Sequence, residues 1–273
     1  MLRVFCLLLL MALPQTVWSA PQRIVALAPS AAELLLALDC GGRIVGRSGE
    51  IGPELASVPD IGSFHSPSLE KVLALAPDLC VGVGDGTPPV LLRRLKEAGV
   101  ETMTLDVRSF EGLFHELARL GNVLGIPEKA EALVRSAGGR LERIKSSAGV
   151  GRKLPSVLFL VQEKPFMAAA QGTFISHIIE KAGAVCAVAV QGNAVYPVLG
   201  REELARLAPD VVLVSSMDSG RGLPPERIDG ADLSPELASS RVYAVDADMF
   251  TRPSLRALDA LDQLVNILRQ EKR

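Results

Sequence analysis

Ser68-Leu-Glu-Lys-Val-Leu-Ala-Leu-Ala-Pro-Asp-Leu-Cys-Val81 aligns without a gap on Gly200-Arg-Glu-Glu-Leu-Ala-Arg-Leu-Ala-Pro-Asp-Val-Val-Leu213. In each copy a short helical stretch is stopped by proline, which can neither donate a backbone hydrogen bond nor fit beside the preceding turn. An aspartate and an apolar run with strand character then follow. Glu70 pairs with Glu202, and Ala76-Pro77-Asp78 with Ala208-Pro209-Asp210. A unit that occurs twice, about 130 residues apart, divides the chain into two related halves.

Working outward from the first copy, short apolar runs at Ile24 to Ala28, Ile44 to Val45, Leu79 to Val83 and Thr102 to Leu105 read as strands. Helix-patterned segments at Ala31 to Leu38, Leu69 to Leu75 and Val90 to Ala98 separate them. This alternation is that of a parallel sheet covered by helices. From Ser109 to about Ala148 the pattern is helical, interrupted by Gly125-Ile-Pro127 and by Gly138-Gly139. Around the second copy, strand-like runs resume at Val157 to Val161, Val185 to Val190, Val211 to Val214 and Val242 to Val245. An amphipathic helix from Ser254 to about Arg269 closes the pattern. The expected architecture is α/β, with two lobes, each a small parallel sheet flanked by helices, at 20–108 and 151–273, joined by a helical connector at 109–150.

Residues 1–19 read as a cleavable signal peptide: Arg3, an apolar run from Val4 to Leu13, Pro14, and small residues before a cut after Ser19. No later stretch reaches the roughly 18 uninterrupted apolar residues of a membrane span. No cysteine stands at the cleavage region, so an exported, untethered periplasmic protein is the expectation. The formal net charge of -2, with no basic stripe, argues against nucleic acid as a partner. Of the cysteines beyond the leader, Cys40 and Cys80 fall where a bridge would close a loop of about 40 residues.

The sequence contains no Gly-x-Ser-x-Gly elbow, no His-Glu-x-x-His helix and no Gly-Lys-Ser/Thr phosphate loop. Gly82-Val-Gly-Asp-Gly86 follows a strand but lacks the spacing of a dinucleotide fingerprint, and reads as a turn. Of the three histidines, His115 and His177 sit within helical stretches and are expected to be structural. His65 stands beside Phe64 in the turn Gly62-Ser-Phe-His-Ser-Pro67, where contact with a ligand and simple surface exposure are both open readings. No catalytic residue and no resident metal or cofactor is expected.

Arg23-Ile-Val-Ala-Leu-Ala-Pro-Ser-Ala-Ala-Glu-Leu34, Gly42-Arg-Ile-Val-Gly46, Ser68-Leu-Glu70 and Leu75-Ala-Pro-Asp-Leu79 together resemble the helical-backbone solute-binding proteins of ABC importers for cobalamin, ferric siderophores and haem. The resemblance runs over nearly all of the chain beyond the leader. It implies a ligand cleft between the lobes, one long helix from Pro127 to about Ser146 spanning them, and docking of Glu70 and Glu202 on the importer's transmembrane subunits. A monomer that carries a small molecule, and no enzyme, is the implied function.

The local pattern is most similar to the cobalamin-binding type. Phe64 falls six residues before Glu70 and Tyr196 six before Glu202, while Asp248-Met-Phe-Thr-Arg-Pro-Ser254 closes the cleft side. That type has tryptophan where Phe64, Tyr196 and Met249 stand here. The ligand contacts so implied are Phe64, His65, Tyr196, Asp248, Phe250 and Arg252, with aromatic faces and a few polar groups suited to a corrinoid. Haem, held through Tyr196 or His65, and a ferric siderophore are the alternatives within the class. A zinc or manganese cage has too few histidines. An exported α/β hydrolase is the remote alternative.

Overall fold

A computed structural model describes residues 20–49, 51–148, 154–190, 194–216 and 224–269. The expected leader lies outside the described residues. The first sheet is built from β1 (Ile24–Ala26), β2 (Ile44–Arg47), β3 (Leu79–Val83) and β4 (Glu101–Leu105), in the order β2-β1-β3-β4 and parallel throughout. Helices α1 (Pro29–Ala37), α2 (Leu69–Ala74) and α3 (Pro89–Glu97) connect the strands.

Both faces of this sheet are covered, so its central strands are apolar without alternation. Ile24, Ala26, Leu79 and Val81 point into the large cluster that holds Leu34 and Leu35 of α1. Val25 and Cys80 point the other way, onto Val72 of α2 and Leu91 and Leu95 of α3. The expected Cys40–Cys80 bridge is excluded by this arrangement. Both thiols are free and buried, with Cys40 packed on one face of the sheet and Cys80 on the other. Burial pushes the Cys80 thiol up to about 12.

Two helices lead from the first sheet to the second, α4 (Phe110–Val123) and α5 (Pro127–Ser147). Ser109 caps α4, its hydroxyl accepting from the Gly112 N–H at 2.9 Å. Gly125 turns the chain with φ 72°, and Pro127 opens α5 in its first turn, where no N–H is needed. The two helices touch where a Cβ on Gly121 would lie 2.2 Å from Ala130 Cβ, so only glycine fits at that crossing. Gly138 and Gly139 do not interrupt α5, which runs unbroken for 21 residues, about 31 Å.

The second sheet contains β5 (Ser156–Glu163), β6 (Phe166–Ala168), β7 (Val185–Cys186), β8 (Val211–Ser216), β9 (Glu226–Ile228) and β10 (Arg241–Asp246). Its order is β6-β5-β8-β10-β9, with β7 also on β5. β5, β7, β8 and β10 are parallel, as expected, but β6 and β9 run antiparallel to their neighbours. Helices α6 (Phe174–Lys181), α7 (Arg201–Leu207), α8 (Gly230–Leu233), α9 (Ala247–Thr251) and α10 (Ala257–Arg269) complete the half. Among the described residues no helix is long and apolar enough to cross a membrane.

The sequence repeat is a structural repeat. α2 and α7 each end on an alanine in the left-handed region, Ala76 at φ 43° and Ala208 at φ 39°. The aspartate two residues on then satisfies the free N–H groups at the start of the adjacent strand. Asp78 accepts from Gln22 and Arg23 at 2.8 and 2.9 Å, and Asp210 from Ser156 at 2.7 Å. The sequence therefore specifies the same helix-to-strand step twice, which puts the residues before α2 and α7 in equivalent places.

Candidate functional site

A cavity of about 400 Å³ opens between the two halves, at the carboxyl ends of the parallel strands. The first half contributes Pro29 and Ser30 after β1, Phe64 and His65 before α2, and Val83 and Asp85 after β3. From the second half come Val161 of β5, Tyr196 before α7, Ser215 of β8, Asp248 and Thr251 of α9, and Arg252 just after it. A larger cavity of about 570 Å³ lies wholly in the second half, between Arg227, Tyr243 and α10. It is remote from the strand ends where loops from both halves converge.

Phe64 is held by a stitched loop. The Ser68 N–H donates to Ile61 O at 2.8 Å, that of Ser66 to Ser63 O at 2.9 Å, and the Ser48 hydroxyl to Gly62 O at 2.6 Å. The phenyl ring lies on the imidazole of exposed His65, with centroids 3.7 Å apart. Its far edge rests on Gly86, where a Cβ would come within 2.8 Å of the ring. The glycine-rich turn read from the sequence is thus the ring's support. Thr87 closes that turn, its hydroxyl accepting from the Val83 N–H at 2.9 Å.

Tyr196 is positioned by a loop laid along β6, through the bonds Ala168 N–H to Pro197 O and Leu199 N–H to Phe166 O at 3.0 and 2.8 Å. Burial, reinforced by the Asp85 carboxylate across the cleft, raises its phenol above the usual tyrosine range, with Arg108 opposing. The structure thus brings Phe64 and Tyr196, six residues before Glu70 and Glu202, to one cavity. Glu70 and Glu202 are exposed in the first turns of α2 and α7.

Asp248 and Thr251, three apart on α9 and so on one face of it, line the cavity together with Arg252, which caps the helix's end. Phe250, expected among the ligand contacts, does not line it. Two residues after Asp248 the helix has turned by about 200°, and the Phe250 ring is fully buried against Phe159, centroids 5.5 Å apart. Met249 is buried too. Asp246 caps this helix, accepting from the Asp248 N–H at 2.8 Å.

Arg252 is bound at both ends of its guanidinium. Nη2 lies 2.6 Å from Asp248 Oδ1 and Nη1 3.0 Å from Glu33 Oε1. Arg256 joins the same group, 3.8 Å from Glu33 Oε1 and 3.1 Å from Asp246 Oδ2. Glu33 belongs to α1, so this network crosses from one half to the other. Sequence reasoning missed it as a site residue, although one signal was present: Glu33 is the single charge between Pro29 and Leu38, and a charge on an otherwise apolar helix needs a partner.

The other histidines are elsewhere. His115 is exposed on α4, and His177 on α6 lies beside Phe110, with Nε2 3.2 Å from Glu111 Oε2. Among the described residues no group of three or more His, Cys, Asp or Glu side chains is gathered as metal ligands would be.

A sequence model described as periplasmic binding protein matches residues 24–248. The chain belongs to the periplasmic binding protein family. Such a protein works outside the cytoplasm and binds a solute, which accords with a cavity between two lobes and with the absence of any hydrolase or phosphate-loop motif in the sequence. This periplasmic binding protein is 26% identical over 272 residues to a vitamin B12-binding protein of Pectobacterium carotovorum, covering 97% of this chain and 95% of that one. It shares its fold with the periplasmic vitamin B12 binding protein of Vibrio cholerae, at TM-score 0.81 and 24% identity over 93% and 99% of the two chains. The periplasmic haem-binding protein of Roseiflexus sp. RS-1 is similar at TM-score 0.80 and 26% identity, over 92% and 99%.

Proposed function

We propose that this protein is the solute-binding component of an ABC importer and carries a corrinoid, of the vitamin B12 class, in the cleft between its lobes. The observation that carries the reading is the meeting of Phe64 and Tyr196 in one cavity. They are equivalent residues of the two repeat copies, with Asp248 and Arg252 as polar groups beside them. Two aromatic faces with few polar partners suit a broad, largely apolar ring system edged by amides. The similarity to vitamin B12-binding proteins over most of both chains supports the same choice.

Haem is the second reading, favoured by the haem-binding structural relatives and by the presence of Tyr196 and His65 at the cleft. The Tyr196 phenol, held above the usual tyrosine range in the free protein, would have to give up its proton to the iron on binding. In either case the metal arrives within the cargo and is no resident cofactor. Glu70 and Glu202 present one carboxylate from each lobe to the membrane subunits. The protein acts as an exported monomer, freed of residues 1–19, with no catalytic activity and no nucleic-acid partner.

Calorimetric titration with cyanocobalamin, cobinamide, haem and a panel of ferric siderophores tests the assignment. The expected result is saturable binding of a corrinoid with a stoichiometry of one. Saturable binding of haem or a siderophore with no corrinoid response overturns it.

A further inference from the structure

The network at the base of the cleft has a composition that the ligand must meet. Among the described residues its carboxylates are Glu33, Asp246 and Asp248, and its guanidiniums Arg252 and Arg256. Asp85 adds a further carboxylate to the cavity wall. Arg252 is the only lysine or arginine among the described lining residues, and Asp248 and Glu33 hold its two ends. Glu33 is nine-tenths buried, and its Oε2 has no hydrogen-bond partner among the described residues. Its charge is therefore answered by the two guanidiniums and by little else.

We propose that Glu33 is a specificity-determining, positioning residue: by occupying Arg252 from the opposite lobe, it makes the cleft select ligands whose edges are neutral or cationic and reject those whose edges carry carboxylates. This rests on the reading of the cleft as the ligand site. A carboxylate brought to Arg252 must displace or share the guanidinium with two carboxylates fixed within 3.0 Å of it, in a site mostly shielded from water. An amide meets no such repulsion and finds an acceptor in the Asp248 carboxylate, which lines the cavity. Discrimination of this kind arises from repulsion of the wrong ligand as much as from attraction of the right one. Glu33 touches no ligand in this scheme. It acts through Arg252, and because it stands on α1 of the first lobe while Arg252 stands at the end of α9 in the second, the selective charge arrangement forms only when the lobes are in register.

The test compares cyanocobalamin with its monocarboxylic acids, in each of which one side-chain amide is hydrolysed. The wild-type protein should bind at least one of these acids about tenfold or more weaker than cyanocobalamin. Glu33→Gln keeps the shape and an acceptor but removes the charge, and should shrink that gap to about threefold or less, mainly by improving the acid. Glu33→Asp should restore part of the gap. A merely structural role for Glu33 would lower the melting temperature and affect all these ligands alike, leaving the ratio unchanged. Equal affinity of wild type for cyanocobalamin and every acid, or a gap that Glu33→Gln leaves intact, overturns the inference. If haem binds and corrinoids do not, the corrinoid reading fails, and haem against its dimethyl ester decides the charge inference separately. Tighter binding of the ester upholds it, and tighter binding of the diacid overturns it.

Discussion

Adding one methyl group at Gly86 should weaken ligand binding through Phe64 without unfolding the protein. A Cβ at position 86 would lie 2.8 and 2.9 Å from Cε2 and Cδ2 of the Phe64 ring and 3.3 Å from Val83 Cγ2. Ordinary carbon contacts lie near 3.5–4.0 Å, so the ring must retreat by about 0.7–1 Å. Overfilling a packed site costs about 1–3 kcal/mol, and the half-exposed ring can yield toward the cleft, so about 1 kcal/mol is expected here. For a chain of this size that lowers the melting temperature by about 2–4 °C. The ring then stands in space the ligand needs, and affinity should fall by about 5- to 30-fold, corresponding to 1–2 kcal/mol. Gly84→Ala is the control in the same turn, since the nearest atom to its added Cβ is 3.7 Å away. Titration calorimetry and thermal melts on both variants read the effect. A folded Gly86→Ala protein that binds ligand as tightly as wild type would refute the placement of Phe64 against the ligand.

Truncating Phe64→Ala or Tyr196→Ala should each cost about 1–3 kcal/mol of corrinoid binding, while Tyr196→Phe should cost little. A spectral shift and large loss in Tyr196→Phe with haem bound would mark iron ligation instead. Reversing Glu70 and Glu202 together to Lys should abolish stimulation of the importer's ATPase and leave ligand affinity within about twofold, as both carboxylates are exposed outside the cavity. Acid should destabilise the fold in two stages. Burial lowers the folded-state value of His177, so its contribution is complete above its unfolded pKa of about 6.5 and is lost as pH falls through that lowered value. The Lys181 hydrogen bond holds Glu111 down at about 2, so its contribution is present above its unfolded value of about 4.3 and fades toward pH 2. Urea midpoints at pH 7, 5 and 3 should fall in that order. Glu111→Gln should lessen the drop between pH 5 and pH 3, and an unchanged drop there in that variant would contradict the assignment.

Much of the fold can be read from the chain because its strands are buried on both faces and its connections are punctuated. Ala-Pro-Asp marks the same step twice, Ser109 and Gly125-Ile-Pro127 bound α4 and open α5, and the equal offsets of Phe64 and Tyr196 place both before equivalent helices. What is hard to read is whatever depends on which way a residue points or on partners far apart in sequence. β6 and β9 are three residues each, too short for a period to declare itself. Phe250 looks like a cleft residue while Asp248 to Ser254 is read as a linear motif, and turns inward once that segment winds into a helix. Cys40 and Cys80 share one end of a lobe, yet a sheet stands between them. Glu33 and Arg252 are 219 positions apart, and only the closure of one lobe on the other brings them together.

The unbroken α5 has a mechanical consequence for how cargo is released. Lys129 near its start is paired with Asp39 of the first half, while Arg140 is paired with Asp259 of α10, and the Arg269 side chain reaches Ser147 at its end. A rod fastened at both ends behaves as a leaf spring: it stores work when bent and returns to one resting shape. A connector of that kind favours modest closure on capture over a wide hinge swing. Unloading demands the opposite, a force applied to both lobes at once. On the proposed docking of Glu70 and Glu202, the importer would apply that force where α2 and α7 begin, and the work of expelling the cargo would then come from the membrane machine.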